Sequence, residues 1–137
     1  MDSQAPADPV GIKVLVIDDS NTIRRSAEIF LKQGGHEVLL AEDGFDALSK
    51  VNDHDPDLIF CDILMPRLDG YQTCAIIKRN PRFSGVPVIM LSSKDGLFDK
   101  ARGRMVGSQD YLTKPFTKDQ LLQAVQRSPA NRHPNPK

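Results

Sequence analysis

The sequence predicts an α/β protein, a (βα)5 doubly wound sheet of five parallel strands alternating with helices. Short apolar runs recur at Lys13–Ile17, Glu37–Ala41, Leu58–Cys61, Val88–Leu91 and Tyr111–Leu112, and apolar residues at helical spacing lie between them. The central run, Leu58-Ile59-Phe60-Cys61, has no polar alternation, which suits a strand covered on both faces. An acid, Asp62, follows it at once.

Taken in order, residues 1–10 are polar, hold two prolines and read as a flexible lead-in. The first strand, Lys13–Ile17, ends on Asp18-Asp19, and Ser20 or Asn21 can cap the next helix. That helix presents Ile23, Ala27, Phe30 and Leu31 on one face and stops at Gly34-Gly35. The second strand is Glu37–Ala41, and Asp43-Gly44 opens a helix with Ala47, Leu48 and Val51 inward. Asp55-Pro56 precedes the central strand. Met65-Pro66 then breaks the chain, and Leu68-Asp69-Gly70 leads into a helix that buries Cys74 and Ile77 and ends near Asn80-Pro81.

The fourth strand, Val88–Leu91, ends on Ser92-Ser93. A helix over about 95–106 follows, with Phe98, Ala101 and Met105 on one side. Gly96 and Gly103 each cost it roughly 1 kcal/mol relative to Ala, so it is expected to be less stable and more mobile. The fifth strand ends at Thr113-Lys114-Pro115. Thr117 and Gln120 have capping-box spacing, and Leu121, Leu122 and Val125 give the last helix its core face. One folded domain is expected over 11–128, with a flexible tail over 129–137.

Composition narrows the function. The chain has 137 residues, enough for one domain with a core, and its 18 basic and 18 acidic side chains cancel. No general nucleic-acid-binding signal is present. No apolar segment nears the ~20 residues needed to span a bilayer, and the N-terminus has no signal core, so a cytoplasmic protein without membrane insertion is expected. Cys61 and Cys74 lack metal-ligand spacing and read as small core residues.

In a parallel sheet the carboxyl ends of the strands share one edge, where ligands bind. That edge gathers Asp18, Asp19, Asp62, Ser92 and Lys114. Alone, Asp62 reads first as a cap or turn residue. Five polar residues at strand ends are hard to explain as caps. Crowded carboxylates repel by roughly 4 kcal/mol per pair at an effective dielectric near 20, so they need a cation, a shared proton or a lysine. Oxygen-only ligands favour Mg²⁺, and Lys114 and the Ser92 hydroxyl can receive an anion. A carboxylate nucleophile, a metal, a lysine and a hydroxyl are the parts of phosphoryl transfer, which makes Asp62 a candidate aspartyl-phosphate.

With VIDDS, FCDILMPRLDG, VIMLSS and YLTKPF in this order, residues 12–127 resemble the CheY-like receiver domains of two-component response regulators. The resemblance implies the flavodoxin-like strand order 2-1-3-4-5 and phosphorylation of Asp62 by a CheA-like sensor histidine kinase. It also implies Mg²⁺ held by Asp19, Asp62 and the backbone carbonyl of Leu64, with Asp18 acting through water. Lys114 would contact the phosphoryl group. Ser92 and Tyr111 would act as the switch, and the Lys114-Pro115 bond would be cis. The chain would be a phosphoacceptor that assists its own reaction, not a conventional enzyme. Leu64 and Lys94 flank the pocket and would govern water access.

DGFDALSK, MPRLDGYQTC, IIKRN and SSKDGLFDKARGR further resemble the regulators of bacterial type IV pilus chemosensory systems, which implies a part in twitching motility. Only a short tail follows the expected domain, so output is expected through contact with a downstream pilus or motor regulatory protein. The expected contact surface includes Arg102, Arg104, Met105, Tyr111, Lys118 and Asp119. A phosphate-draining sister regulator and a phosphate-independent scaffold of the same shape stay open. A haloacid-dehalogenase-like phosphatase fits less well, because Asp18-Asp19 lacks DxD spacing. A flavodoxin fits poorly too, because acidic DDSNTIRR would repel the FMN phosphate.

Overall fold

The computed structural model describes residues 11–93 and 99–131. Strands β1 (Lys13–Ile17), β2 (Glu37–Ala41), β3 (Leu58–Asp62), β4 (Val88–Ser93) and β5 (Asp110–Lys114) form one parallel sheet in the order 2-1-3-4-5. The helices are α1 (Asn21–Gln33), α2 (Gly44–His54), α3 (Gly70–Arg79), α4 (Lys100–Met105) and α5 (Lys118–Arg127). A 3-10 turn over Pro129–Asn131 follows α5.

Because side chains alternate along a strand, the sheet feeds two cores. Leu15, Ile17, Ile59, Cys61 and Met90 pack on one face with Ala47, Val51, Cys74 and Ile77 of α2 and α3. Val14, Val16, Leu58, Phe60 and Leu91 pack on the other with Ala27 and Leu31 of α1 and with Leu121, Ala124 and Val125 of α5. All five residues of β3 are buried: the four of its apolar run, and Asp62 at its end.

Local signals set the element ends. The Ser20 hydroxyl accepts from the Ile23 amide, and Asp43 caps α2 through the Asp46 amide. Asp69 with Gln72 and Thr117 with Gln120 form full capping boxes. Gly35 and Gly107 take positive φ at the ends of α1 and α4, the left-handed backbone that closes helices.

The fourth helix departs from expectation. It begins at Lys100 rather than near 95, because the Asp99 side chain accepts from the Arg102 amide and caps it there. Ala101 and Met105 face solvent, Met105 being 85% exposed, and the buried residue is Gly103. The helix has too few large apolar side chains to bury a full face, so it packs through Gly103 and Val106. Lys94, Gly96 and Phe98, the lead-in over 1–10 and residues 132–137 lie outside the described residues.

Candidate functional site

Parallel register decides what stands beside Asp62. Ile17 is level with Cys61, so the next residues, Asp18 and Asp62, emerge side by side from strands that lie about 4.8 Å apart. Asp18 is fully buried, Asp62 nearly so, and Asp19 is exposed. One carboxylate oxygen from each of the three lies within 4.8 Å of the others. The Asp18 carboxylate also accepts from the Ser20 amide at 2.9 Å, which fixes its orientation.

Lys114 supplies the nearby positive charge. It is level with Ser93 at the end of the sheet, and its Nζ donates to Asp18 Oδ2 and to Asp62 Oδ1, both at 3.0 Å. Burial alone would lower its pKa, but the hydrogen bonds to the two carboxylates reverse this and raise it. Burial also pushes Asp62 up to about 6, helped by the charge of Asp18 and opposed by Lys114. Its carboxyl therefore takes up a proton more readily than an ordinary aspartate does. Lys114 and Pro115 are joined by a cis peptide bond.

Three carboxylates facing one ammonium leave two negative charges when all are ionised. The donors are oxygen only and open to solvent on the Asp19 side, a set that fits a hard divalent cation such as Mg²⁺.

The remaining predicted residues lie on β4, on β5 and in the loop after β3. Ser92 is buried and follows Leu91, which is level with Asp62; its hydroxyl donates to the Ser93 carbonyl at 3.2 Å. Leu64 lies in the loop after β3 with its side chain 71% exposed. Tyr111 is 37% exposed, and Lys100 Nζ lies 5.5 Å from its ring centroid.

Several residues that shape the site escape a reading of the sequence. Gly70 comes directly against the backbone of Asp62. Arg67 spans from the loop after β3 to Asp43 of the α2 cap. The Tyr71 hydroxyl accepts from the Asp99 amide at 2.9 Å, and Arg102 stacks on the Tyr71 ring at 4.3 Å, so the start of α4 is moored to α3. Only the glycine left a local trace, as a turn residue before a helix. The others are pairings across distant sequence.

Comparison with known proteins places these features. The response regulator receiver domain family matches residues 14–126. Protein PilG of Pseudomonas aeruginosa is 67% identical over 115 residues, covering 84% of this chain and 85% of PilG. Protein PilH of the same organism is 36% identical over 113 residues, covering 82% and 93%. Among solved structures, the chemotaxis protein CheY4 of Vibrio cholerae superposes with a TM-score of 0.82 at 33% identity, covering 86% of this chain and 98% of CheY4. A Francisella receiver domain superposes at 0.75 with 37% identity, covering 85% and 94%.

Proposed function

The chain belongs to the response regulator receiver family, and from that premise we propose that Asp62 accepts a phosphoryl group from a CheA-like sensor histidine kinase. The observation that carries this is Asp62 itself: a carboxylate at the end of a fully buried strand, between a second carboxylate and a lysine 3.0 Å away. As the Asp62 oxygen bonds to phosphorus, the phosphorus–nitrogen bond of the phosphohistidine breaks, and the imidazole nitrogen keeps the electron pair. Asp19, Asp62 and the Leu64 carbonyl would hold Mg²⁺, with Asp18 acting through water. Bound there, the ion supplies charge neutralisation for the transferring group.

Lys114 then exchanges its carboxylate partner for a phosphoryl oxygen, and the Ser92 hydroxyl turns from the Ser93 carbonyl to donate to another. Tyr111, at the edge of the sheet, follows the space that Ser92 leaves. Lys100 and Arg102 touch Tyr111 and Tyr71, which connects that movement to α4. Output is a contact made by the α4–β5–α5 surface with a downstream protein.

The identity of 67% to Protein PilG, against 36% to Protein PilH, supports placing the chain with the type IV pilus regulators that signal in twitching motility rather than with a phosphate-draining sister.

The test is intact mass after incubation with Mg²⁺ and acetyl phosphate, beside Asp62→Asn and an EDTA control. One added phosphoryl mass, absent from both controls, is the expected result. Labelling that survives in Asp62→Asn, or no labelling by acetyl phosphate or a CheA-like kinase, overturns the assignment.

A further inference from the structure

Of the two non-glycine residues with positive φ among the described residues, Asp55 and Arg67, the second lies beside the site. Arg67 has φ of 69°, in the left-handed region that a long side chain rarely adopts, and the Leu68 amide donates to the Pro66 carbonyl at 2.7 Å across it. This is a γ-turn of the uncommon positive-φ kind. Strain of this sort persists where the surroundings hold it in place.

What holds it is the first turn of α2. The Arg67 guanidinium pairs with Asp43 Oδ2 at 2.9 Å and lies 5.3 Å from the ring centroid of Phe45. Asp43 serves two partners, since its other oxygen accepts from the Asp46 amide at 2.7 Å to cap the helix. Beneath this clamp the elements meet without slack. A Cβ on Gly44 would stand 2.5 Å from Thr73 Oγ1 and 2.7 Å from Leu68 Cδ2. The segment from Ile63 to Gly70 is closed by a hydrogen bond from the Gly70 amide to the Ile63 carbonyl at 2.8 Å. Leu64 lies inside that closed segment, so whatever fixes Arg67 also limits where the Leu64 carbonyl can stand.

We propose that Arg67 is a positioning residue. By locking the Ile63–Gly70 loop to the α2 cap, it sets the height at which that loop meets a cation held by Asp19 and Asp62. The inference rests on the metal reading proposed above. It also carries a reciprocal consequence, because coupling between two sites acts equally in both directions. A cation that pulls on the loop must tighten the Asp43 cap, on the far side of the clamp.

The decisive variant is Arg67→Gly. Glycine adopts positive φ readily, so it keeps the turn and the fold while removing the clamp. Asp43→Asn is its counterpart, since Asn caps as well as Asp but carries no charge to pair with arginine. Mg²⁺ affinity is read by titration calorimetry, and the cap by amide hydrogen exchange at Asp46 with and without Mg²⁺. Arg67→Gly is expected to bind Mg²⁺ roughly fivefold more weakly, the size of an exposed ion pair plus a cation–π contact, and Asp43→Asn, which keeps the Phe45 contact, roughly twofold more weakly. Protection at Asp46 should rise with Mg²⁺ in the parent and not in Arg67→Gly. Parent-like affinity in Arg67→Gly, or an Asp46 amide indifferent to Mg²⁺ in the parent, overturns the inference alone. A parent protein that binds no Mg²⁺ overturns the metal reading and this inference with it.

Discussion

Gly70 leaves no room between itself and Asp62. A Cβ built on Gly70 would stand 2.2 Å from the Asp62 carbonyl oxygen and 2.8 Å from Ile63 Cα. Both neighbours are backbone atoms, so neither can rotate away. The start of α3 is thereby set against the end of β3, and the glycine is required for its size rather than for its φ. Gly70→Ala should cost about 1–3 kcal/mol, the range for overpacking. Chemical denaturation checks this, and a loss under 0.5 kcal/mol would show that the two backbones can separate freely.

The Asp62 carboxyl gives the metal-free protein an unusual pH dependence. Its pKa is raised from 3.8 to about 6 by burial first and the Asp18 charge second. Below about pH 4 the folded and unfolded chains both carry this proton. Between about 4 and 6 the unfolded chain loses it while the folded chain keeps it, so the contribution of this group to stability falls as pH rises. Above 6 the folded state bears the full penalty, on the order of 3 kcal/mol. Asp62→Asn removes the ionisation. In EDTA it should equal the parent in stability near pH 4 and exceed it at pH 7.5. Urea denaturation of both proteins at those two pH values tests the sign, and a variant less stable at pH 7.5 would contradict it.

Lys114 is tested by taking it away. Its Nζ lies 3.0 Å from oxygens of two carboxylates that are almost fully buried. Removing one partner of a buried charge cluster costs about 3–5 kcal/mol, because the remaining charges lose their compensation. Lys114→Ala should therefore unfold at lower urea in EDTA, and added Mg²⁺ should return a large part of the loss. It should still accept phosphate slowly from acetyl phosphate but fail to couple phosphorylation to partner binding. A variant as stable as the parent without metal would mean that solvent already screens the pair.

His36 should oppose Asp62 in the pH profile. Its Nδ1 accepts from the Ile12 amide at 3.2 Å, which requires an unprotonated nitrogen, and burial lowers its pKa from 6.5. A lowered histidine pKa means that the unfolded chain takes up the proton first as pH falls. The stability it supports is present above about pH 6.5 and declines below it. Subtracting the profile of His36→Gln from that of the parent isolates the effect. A flat difference between pH 5 and 7.5 would show that folding does not lower the proton affinity of His36.

Much of this molecule is written locally. The run Leu58–Cys61 is apolar because both faces of β3 are covered, and the acid after it sits at the sheet edge because the strand ends there. Asp18, Asp19, Asp62 and Lys114 could thus be placed at one edge from strand ends alone, and parallel register brings them together. The fourth helix resisted, since its outward Met105 and Ala101 mimic an apolar face while the residue that packs, Gly103, has no side chain to signal it. The clamp at Arg67 and the mooring at Tyr71 were hidden for another reason. Each joins residues more than twenty positions apart whose types are ordinary surface choices.

The Tyr71 hydroxyl accepts from the Asp99 amide at 2.9 Å, at the residue that caps α4. Arg102, one turn on, lies 4.3 Å from the Tyr71 ring centroid and 3.8 Å from an Asp69 oxygen. Contacts of different kinds therefore hold the start of a six-residue helix, among them a directional hydrogen bond to the Tyr71 hydroxyl and a cation over its ring. Tyr71→Phe removes the first and keeps the second. A net hydrogen bond is worth roughly 1 kcal/mol, so the Asp99 amide should exchange about fivefold faster, while the core amides of β3 are unchanged. Because α4 belongs to the proposed output surface, a looser start should also let the unphosphorylated variant bind a downstream partner more readily. Exchange at Asp99 equal to the parent would show that the Tyr71 hydroxyl does not secure the helix. Faster exchange without a change in partner binding would separate the mooring from the signal.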